Sequence, residues 1–323
     1  MKAIRISETG GPEVMQWTEV KLPPPGKGEV RLRHTAVGLN FIDTYHRSGL
    51  YALPLPAGLG LEAAGVIEAL GEGVKGFKVG QRVAYGTGPI GAYAEARNIP
   101  VRRLVKLPRT INDETAAAMM LKGLTARYLL RATYRVKRGE TILVHAAAGG
   151  VGLILCQWAK ALGVKVIGTV GSADKAELAQ AHGCAHVINY ATENTAQRVR
   201  ELTGGAGVPV VYDGVGQATL MASLDSLKPR GLLVSFGNAS GPIRNFDLGL
   251  LSAKGSLFLT RPALMSYTAD DDEFSTAAQE LVDMVSSGKV KVSVNQRYAL
   301  QDAAKAHADL QARRTTGSTV LIP

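Results

Sequence analysis

From residue 140 to 261, short apolar runs alternate with stretches in which apolar positions recur every three or four residues. The runs of strand length are 141–147, 165–170, 186–190, 208–213, 231–236 and 256–260. Helical spacing occupies 150–162, 173–182, 195–202 and 217–227. Strands that alternate with helices in this way predict a parallel, doubly wound α/β sheet.

The first 120 residues are patterned differently. Pro23-Pro24-Pro25-Gly26, Pro54-Leu55-Pro56, Gly71-Glu72-Gly73 and Gly86-Thr87-Gly88 break the chain into short apolar runs. Many short runs between turn signals predict a β-rich domain with few helices. Towards the end, helices are expected at 273–286 and 302–311, followed by an apolar strand at 319–322. That strand has no place in the central sheet and is assigned to the first domain. No repeat or low-complexity segment is present.

Composition narrows the class. Hydrophobic residues make up 46% and charged residues 20%, as in soluble enzymes. No run approaches the ~18 apolar residues of a membrane span, and the N-terminal residues have no signal core or amphipathic leader, so a cytoplasmic location is expected. The two cysteines, Cys156 and Cys184, exclude a disulfide framework and an all-cysteine zinc site, and read as small buried hydrophobes. The net charge of +10 brings nucleic acid into consideration. The basic residues are scattered, however. The densest group, Arg131, Arg135, Lys137 and Arg138, reads as a solvated face.

The most specific motif is Ala146-Ala147-Ala148-Gly149-Gly150-Val151-Gly152, set between a strand and a helix. In the G-x-G-x-x-G frame its positions are Ala147, Gly149 and Gly152, with alanine for the first glycine. Gly149 lets backbone approach a pyrophosphate, and Gly152 lets the helix pack close to the sheet. The N–H groups from Ala148 through Gly150 and Val151 to Gly152 and the helix dipole complete an anion site. An NAD site places an acid at the tip of the second strand. Here Thr169-Val170-Gly171-Ser172-Ala173-Asp174-Lys175 has none there. Ser172 is expected to cap the next helix, with Lys175 at its third position, where a cation opposes the helix dipole. A 2′-phosphate would compensate, pointing to NADPH; otherwise Lys175 is a solvated lysine. Asp174 is expected to point away. Tyr190 ends the third strand, either stacking near the adenosine phosphate or filling core. Gly214, Val215, Phe236, Gly237, Asn238 and Arg261 follow other strands and are cofactor candidates by position.

With these residues in place, the chain resembles the zinc-independent quinone oxidoreductases, the zeta-crystallin-like branch of the medium-chain dehydrogenase/reductases. The likeness rests on Gly139-Glu140 to Leu143, Ala147-Ala148-Gly149-Gly150, Gly152, Gln157 and Lys160. It rests also on Gly38-Leu39-Asn40-Phe41-Ile42-Asp43, Gly58-Leu59-Gly60-Leu61-Glu62-Ala63-Ala64-Gly65, Val234-Ser235-Phe236-Gly237-Asn238 and Gly317-Ser318. It implies a GroES-like catalytic domain (1–121 and 262–323) interrupted by a Rossmann NADPH-binding domain (122–261), a homodimer, and hydride transfer from NADPH to a quinone. It also implies that Asn40, Asp43, Tyr45, Tyr51 and Thr125 surround nicotinamide and acceptor, with Asn40 and Gly317 also near the cofactor. Each of these side chains can equally satisfy a loop hydrogen bond. Zinc alcohol dehydrogenases carry Cys and His where this chain has Asn40 and Leu61, and the spacing of His34, His46 and His145 fits no metal site, so no metal is expected. Two rival functions remain open: an NADPH-dependent enone or alkenal reductase, and a nucleic-acid-binding protein regulated by NADPH.

Overall fold

The strand Glu29–Leu39 shows why the first part of the chain forms a sheet. Val30, Leu32 and His34 are buried while Arg31, Arg33 and Thr35 are not, the period-two alternation of a strand with one face on a core. The computed structural model describes residues 1–323 and divides into two units.

The first unit comprises Met1–Leu124, Asp270–Ser286 and Val292–Pro323. Its seven-stranded sheet runs in the order Val294–Ala299, Ser318–Ile322, Glu29–Leu39, Glu62–Leu70, Arg82–Tyr85 and Val105–Lys106, with Ala96–Pro100 also paired to Glu29–Leu39. The closing strand Ser318–Ile322 thus lies beside Glu29–Leu39, in the β-rich unit where its apolar pattern assigned it. A three-stranded sheet, Gln16–Glu19, Lys2–Ile6 and Ala57–Gly58, completes the unit. Ile4, Ile6, Val30, Leu32, Ile67, Tyr93, Ile99 and Leu321 form one core.

The expectation of few helices missed Asp113–Tyr128, which spans 16 residues. Ala116, Ala117, Ala118, Met119 and Met120 are all fully buried, and the charged Lys122 is buried too, so buried residues occupy consecutive positions and the helix shows no amphipathic stripe. It packs against glycine: a Cβ on Gly38 would lie 2.2 Å from the Ala117 carbonyl oxygen.

The second unit comprises Thr125–Ala269 and Ser287–Lys291, and so extends beyond residue 261. Its six strands are all parallel, in the order His186–Asn189, Lys165–Val170, Thr141–Val144, Val208–Asp213, Leu227–Ser235 and Phe258–Thr260. In chain order that is 3-2-1-4-5-6, the Rossmann arrangement, whose order reverses beside the first strand. Helices at Gly150–Ala161, Ala173–Ala181, Thr195–Leu202 and Leu220–Ser226 connect the strands. The fifth strand starts at Leu227, four residues before the expected Gly231. Its register shifts opposite Val208–Val210, and Arg230 takes a φ of +62°, so a bulge carries the Lys228-Pro229-Arg230-Gly231 turn signal inside the strand.

Candidate active site

The strand Thr141–Val144 ends in the glycine loop, and the helix Gly150–Ala161 starts from it. Gly149 is the N-cap and has no side chain to satisfy the first turn, so the free N–H groups of that turn are left to a ligand. A Cβ on Gly152 would lie 2.4 Å from the Ala146 oxygen and 2.7 Å from the Ala147 oxygen, so the helix sits against the strand end as only glycine permits. The left-handed residue of the turn is Ala146, with a φ of +54°, one place before Ala147, the first position of the motif. A left-handed alanine costs roughly 1–2 kcal/mol.

The strand ends around the loop are tied together by a buried network. Asp213 Oδ1 accepts the Val215 and Gly216 N–H groups at 2.8 and 3.0 Å. Its Oδ2 accepts the hydroxyls of Thr219 and Ser223, each at 2.7 Å. Ser223 lies 3.0 Å from His145 Nε2, and His145 Nδ1 lies 2.9 Å from Thr169 Oγ1. Burial lowers the His145 pKa against the pull of Asp213, so the ring is neutral. At the second strand tip, Ser172 caps the helix Ala173–Ala181 by accepting the Lys175 N–H at 3.4 Å. The Tyr190 ring lies over Gly171, where a Cβ would come within 2.5 Å of its hydroxyl.

In the first unit, Asn40 is the N-cap of the helix Phe41–Arg47. Asp43 Oδ2 accepts the Asn40 backbone N–H at 2.9 Å. The Asn40 side-chain amide donates to Glu62 Oε2 at 2.8 Å, and Lys122 Nζ donates to the same oxygen at 3.1 Å. Leu121 N–H donates to the other Glu62 oxygen at 2.9 Å. Glu62 and Asp43 are wholly buried. The Tyr45 and Tyr51 rings meet edge to face, 5.3 Å between centroids, and Tyr51 N–H donates to the Tyr45 carbonyl.

Comparison with known proteins matches residues 26–109 to the alcohol dehydrogenase GroES-like domain and residues 150–283 to the zinc-binding dehydrogenase family. A quinone oxidoreductase of Pseudomonas aeruginosa is 57% identical over 100% of this chain and 99% of its own. The chain belongs to the quinone oxidoreductase family of the medium-chain dehydrogenase/reductases. The crystal structure of the Escherichia coli quinone oxidoreductase complexed with NADPH superimposes with a TM-score of 0.98 at 51% identity, covering 100% of both chains. A 2-haloacrylate reductase of a Burkholderia species is 48% identical over 98% of both chains.

Within this quinone oxidoreductase fold, the predicted residues fall into separate clusters. Asn40 and Asp43 touch, as do Tyr45 and Tyr51. Thr125 is buried at the start of the second unit. Ala148, Gly149, Gly150, Val151 and Gly152 form the loop and first helical turn, and Gly171, Ser172, Lys175 and Tyr190 gather at the neighbouring strand tip. Gly214 packs on the Phe236 ring, and a Cβ on Gly237 would lie 2.3 Å from the Gly214 oxygen. Arg261 donates to the Ser235 carbonyl at 2.7 Å. Gly317, with a φ of +57°, lies against Ser293 in the first unit. The glycine-rich, uncapped helix start Gly149-Gly150-Val151-Gly152 fits a dinucleotide pyrophosphate. No group of three or more His, Cys, Asp or Glu side chains converges as a metal cluster would.

Sequence reasoning missed Glu62, Lys122, Tyr93 and His307. A single carboxylate within the apolar run Leu59-Gly60-Leu61-Glu62-Ala63-Ala64 was the available signal for Glu62, since a buried charge requires partners. His307 is 214 residues from its partner Tyr93, beyond any local pattern.

Proposed function

We propose that the chain is a cytosolic, homodimeric NADPH-dependent quinone reductase that works without a metal ion. The reading is carried by the uncapped glycine helix start at Gly149–Gly152, in a chain that matches an NADPH-complexed quinone oxidoreductase from end to end. When bound, NADPH supplies a hydride. The chain's own residues orient the reactants and stabilise charge. Gly149, Gly150, Val151 and Gly152 hold the pyrophosphate, Ser172 and Lys175 take the 2′-phosphate, and Tyr190 covers the adenosine side. Gly214, Val215, Phe236, Gly237, Asn238, Arg261 and Thr125 shape the rest of the cofactor's surroundings in the second unit. Tyr45, Tyr51 and Asn40 offer neutral donors to the acceptor oxygen, and the tyrosine rings flank a flat acceptor. Asn40 and Leu61 stand where the zinc enzymes have ligands, which supports chemistry without a Lewis acid. The homodimer is supported by the sheet's edge strand Phe258–Thr260, where Phe258 is 60% exposed, and by Leu248, 72% exposed.

The 48% identity to a 2-haloacrylate reductase favours a second reading, reduction of an activated alkene. Steady-state NADPH oxidation with a panel of quinones, set beside a haloacrylate and an alkenal, tests both. Higher kcat/KM with quinones is expected. Higher values with the alkenes would replace the first reading by the second.

A further inference from the structure

A one-way chain of hydrogen bonds crosses the interior of the first unit. Arginine carries only donors, so Arg47 Nη1 donates to His307 Nδ1, 3.1 Å away. Burial pushes His307 down to about 3, which keeps its ring neutral, with one donor and one acceptor nitrogen. Nδ1 accepts, so Nε2 carries the hydrogen and donates to the Tyr93 hydroxyl at 3.0 Å. Tyr93 in turn donates to Asp43 Oδ2 at 2.9 Å. With the Asn40 N–H, Oδ2 accepts two hydrogen bonds. Any proton on Asp43 therefore sits on Oδ1, an atom that is buried and has no partner in the protein. A buried polar atom left open in this way calls for a ligand or a water at that point.

We infer that Asp43 delivers, from Oδ1, the proton that completes reduction of the acceptor, and that Tyr93, His307 and Arg47 are positioning residues that fix which oxygen carries it. This rests on the quinone reductase reading. Hydride addition leaves the quinone as a hydroquinone monoanion. The Asp43 Oδ1–H bond then breaks as its proton passes to one bridging water, which gives one of its own protons to the hydroquinone oxygen and forms the O–H bond there. A solvent proton restores the carboxyl before the next turnover. One NADPH is oxidised to NADP⁺ and one proton is consumed per hydroquinone formed.

The surroundings suit the task. Burial holds the Asp43 carboxyl up at about 7; the Asn40 N–H, the Tyr93 hydroxyl and the Lys122 charge pull it down, and Glu62 pushes it up. Lys122 faces it from the helix Asp113–Tyr128 and Glu62 from the strand Glu62–Leu70. His307 acts through Tyr93 from the helix Ala303–Gln311, and Arg47 lies one turn along Asp43's own helix.

The test pairs an infrared titration of the buried carboxyl with the pH dependence of quinone turnover. In the wild type, a protonated-carboxyl band that is absent from Asp43→Asn should vanish as pH rises through about 7, and kcat should fall over the same range. Tyr93→Phe takes a donor from the carboxylate and should move both transitions to higher pH together. Asp43→Asn should lower kcat about 100-fold, the low end for a general acid, and flatten the profile. Should Asp43→Asn fail to fold, the Tyr93→Phe shift decides. Turnover with a pH profile unchanged in these variants overturns the proton-donor role alone. A wild type that reduces no quinone overturns the reductase reading and this role with it.

Discussion

Single residues set the cofactor site, and each acts by a different physical means. Gly152 works by what it lacks, since any Cβ there meets two backbone oxygens that cannot swing away. Ala146 holds a left-handed turn that glycine would adopt without strain. Lys175 stands in the first turn of a helix, where its charge opposes the dipole. On the proposed reading, a bound 2′-phosphate would turn that misfit into a charge-assisted contact. Lys175→Ala is therefore expected to weaken NADPH binding by about 1–3 kcal/mol, the scale of hydrogen bonds to charged groups, and to leave NADH nearly unchanged. Dissociation constants for the two cofactors, measured by fluorescence titration, check this. Equal losses for both would show that Lys175 does not read the phosphate.

Elements are joined in the first unit by Glu62, whose carboxylate receives the Asn40 amide, the Lys122 ammonium and the Leu121 N–H. One buried side chain thus fixes a strand, a long helix and the start of the helix Phe41–Arg47. Glu62→Gln replaces an accepting oxygen by a donor and leaves Lys122 buried without its counter-charge. Breaking such a pair costs about 3–5 kcal/mol, whereas replacing both partners by apolar groups costs far less. Urea unfolding should therefore show a large loss in Glu62→Gln that Glu62→Leu with Lys122→Met partly restores; a single variant as stable as the wild type would refute the bracket. This scale also shows what a sequence discloses. The six parallel strands were legible because each is a short apolar run closed by a turn, and the glycine loop because its spacing is local. The helix Asp113–Tyr128 was hidden by its own burial, since the consecutive buried residues 116–120 and the buried Lys122 leave no apolar period to read. The Arg47–His307–Tyr93–Asp43 chain was hidden by distance, with 260 residues between its first two members.

Across the whole molecule, buried titratable groups are divided unequally between the units. His34, His46 and His307 lie in the first unit, and His145 alone among the buried histidines lies in the second. Burial lowers His34 to about 4, aided by Arg97, and His307 to about 3, aided by Arg47. A histidine whose folded pKa lies below its unfolded value of 6.5 contributes stability that is complete above 6.5 and is lost as pH falls towards the folded value. At 1.36 kcal/mol per pKa unit, about 3 kcal/mol from His34 and about 5 kcal/mol from His307 are at stake. Asp43 works the other way. Its carboxyl is raised from 3.8 to about 7, so its contribution is complete below 3.8 and is lost as pH rises through 7. That offsets about 4 kcal/mol as pH falls. The histidines outweigh it, and the lowered pKa of His46 adds to the acid side. The first unit should therefore loosen before the second as pH falls from 7 to 4. Hydrogen exchange, corrected for its intrinsic pH dependence, is expected to show protection in strands such as Glu29–Leu39 falling more steeply than in Thr141–Val144 and Val208–Asp213. His307→Gln retains an acceptor for Arg47 and a donor for Tyr93 but cannot take up a proton, so it should flatten that fall. Equal loss of protection in both units, or an unchanged slope in His307→Gln, would show that these histidines do not govern acid stability.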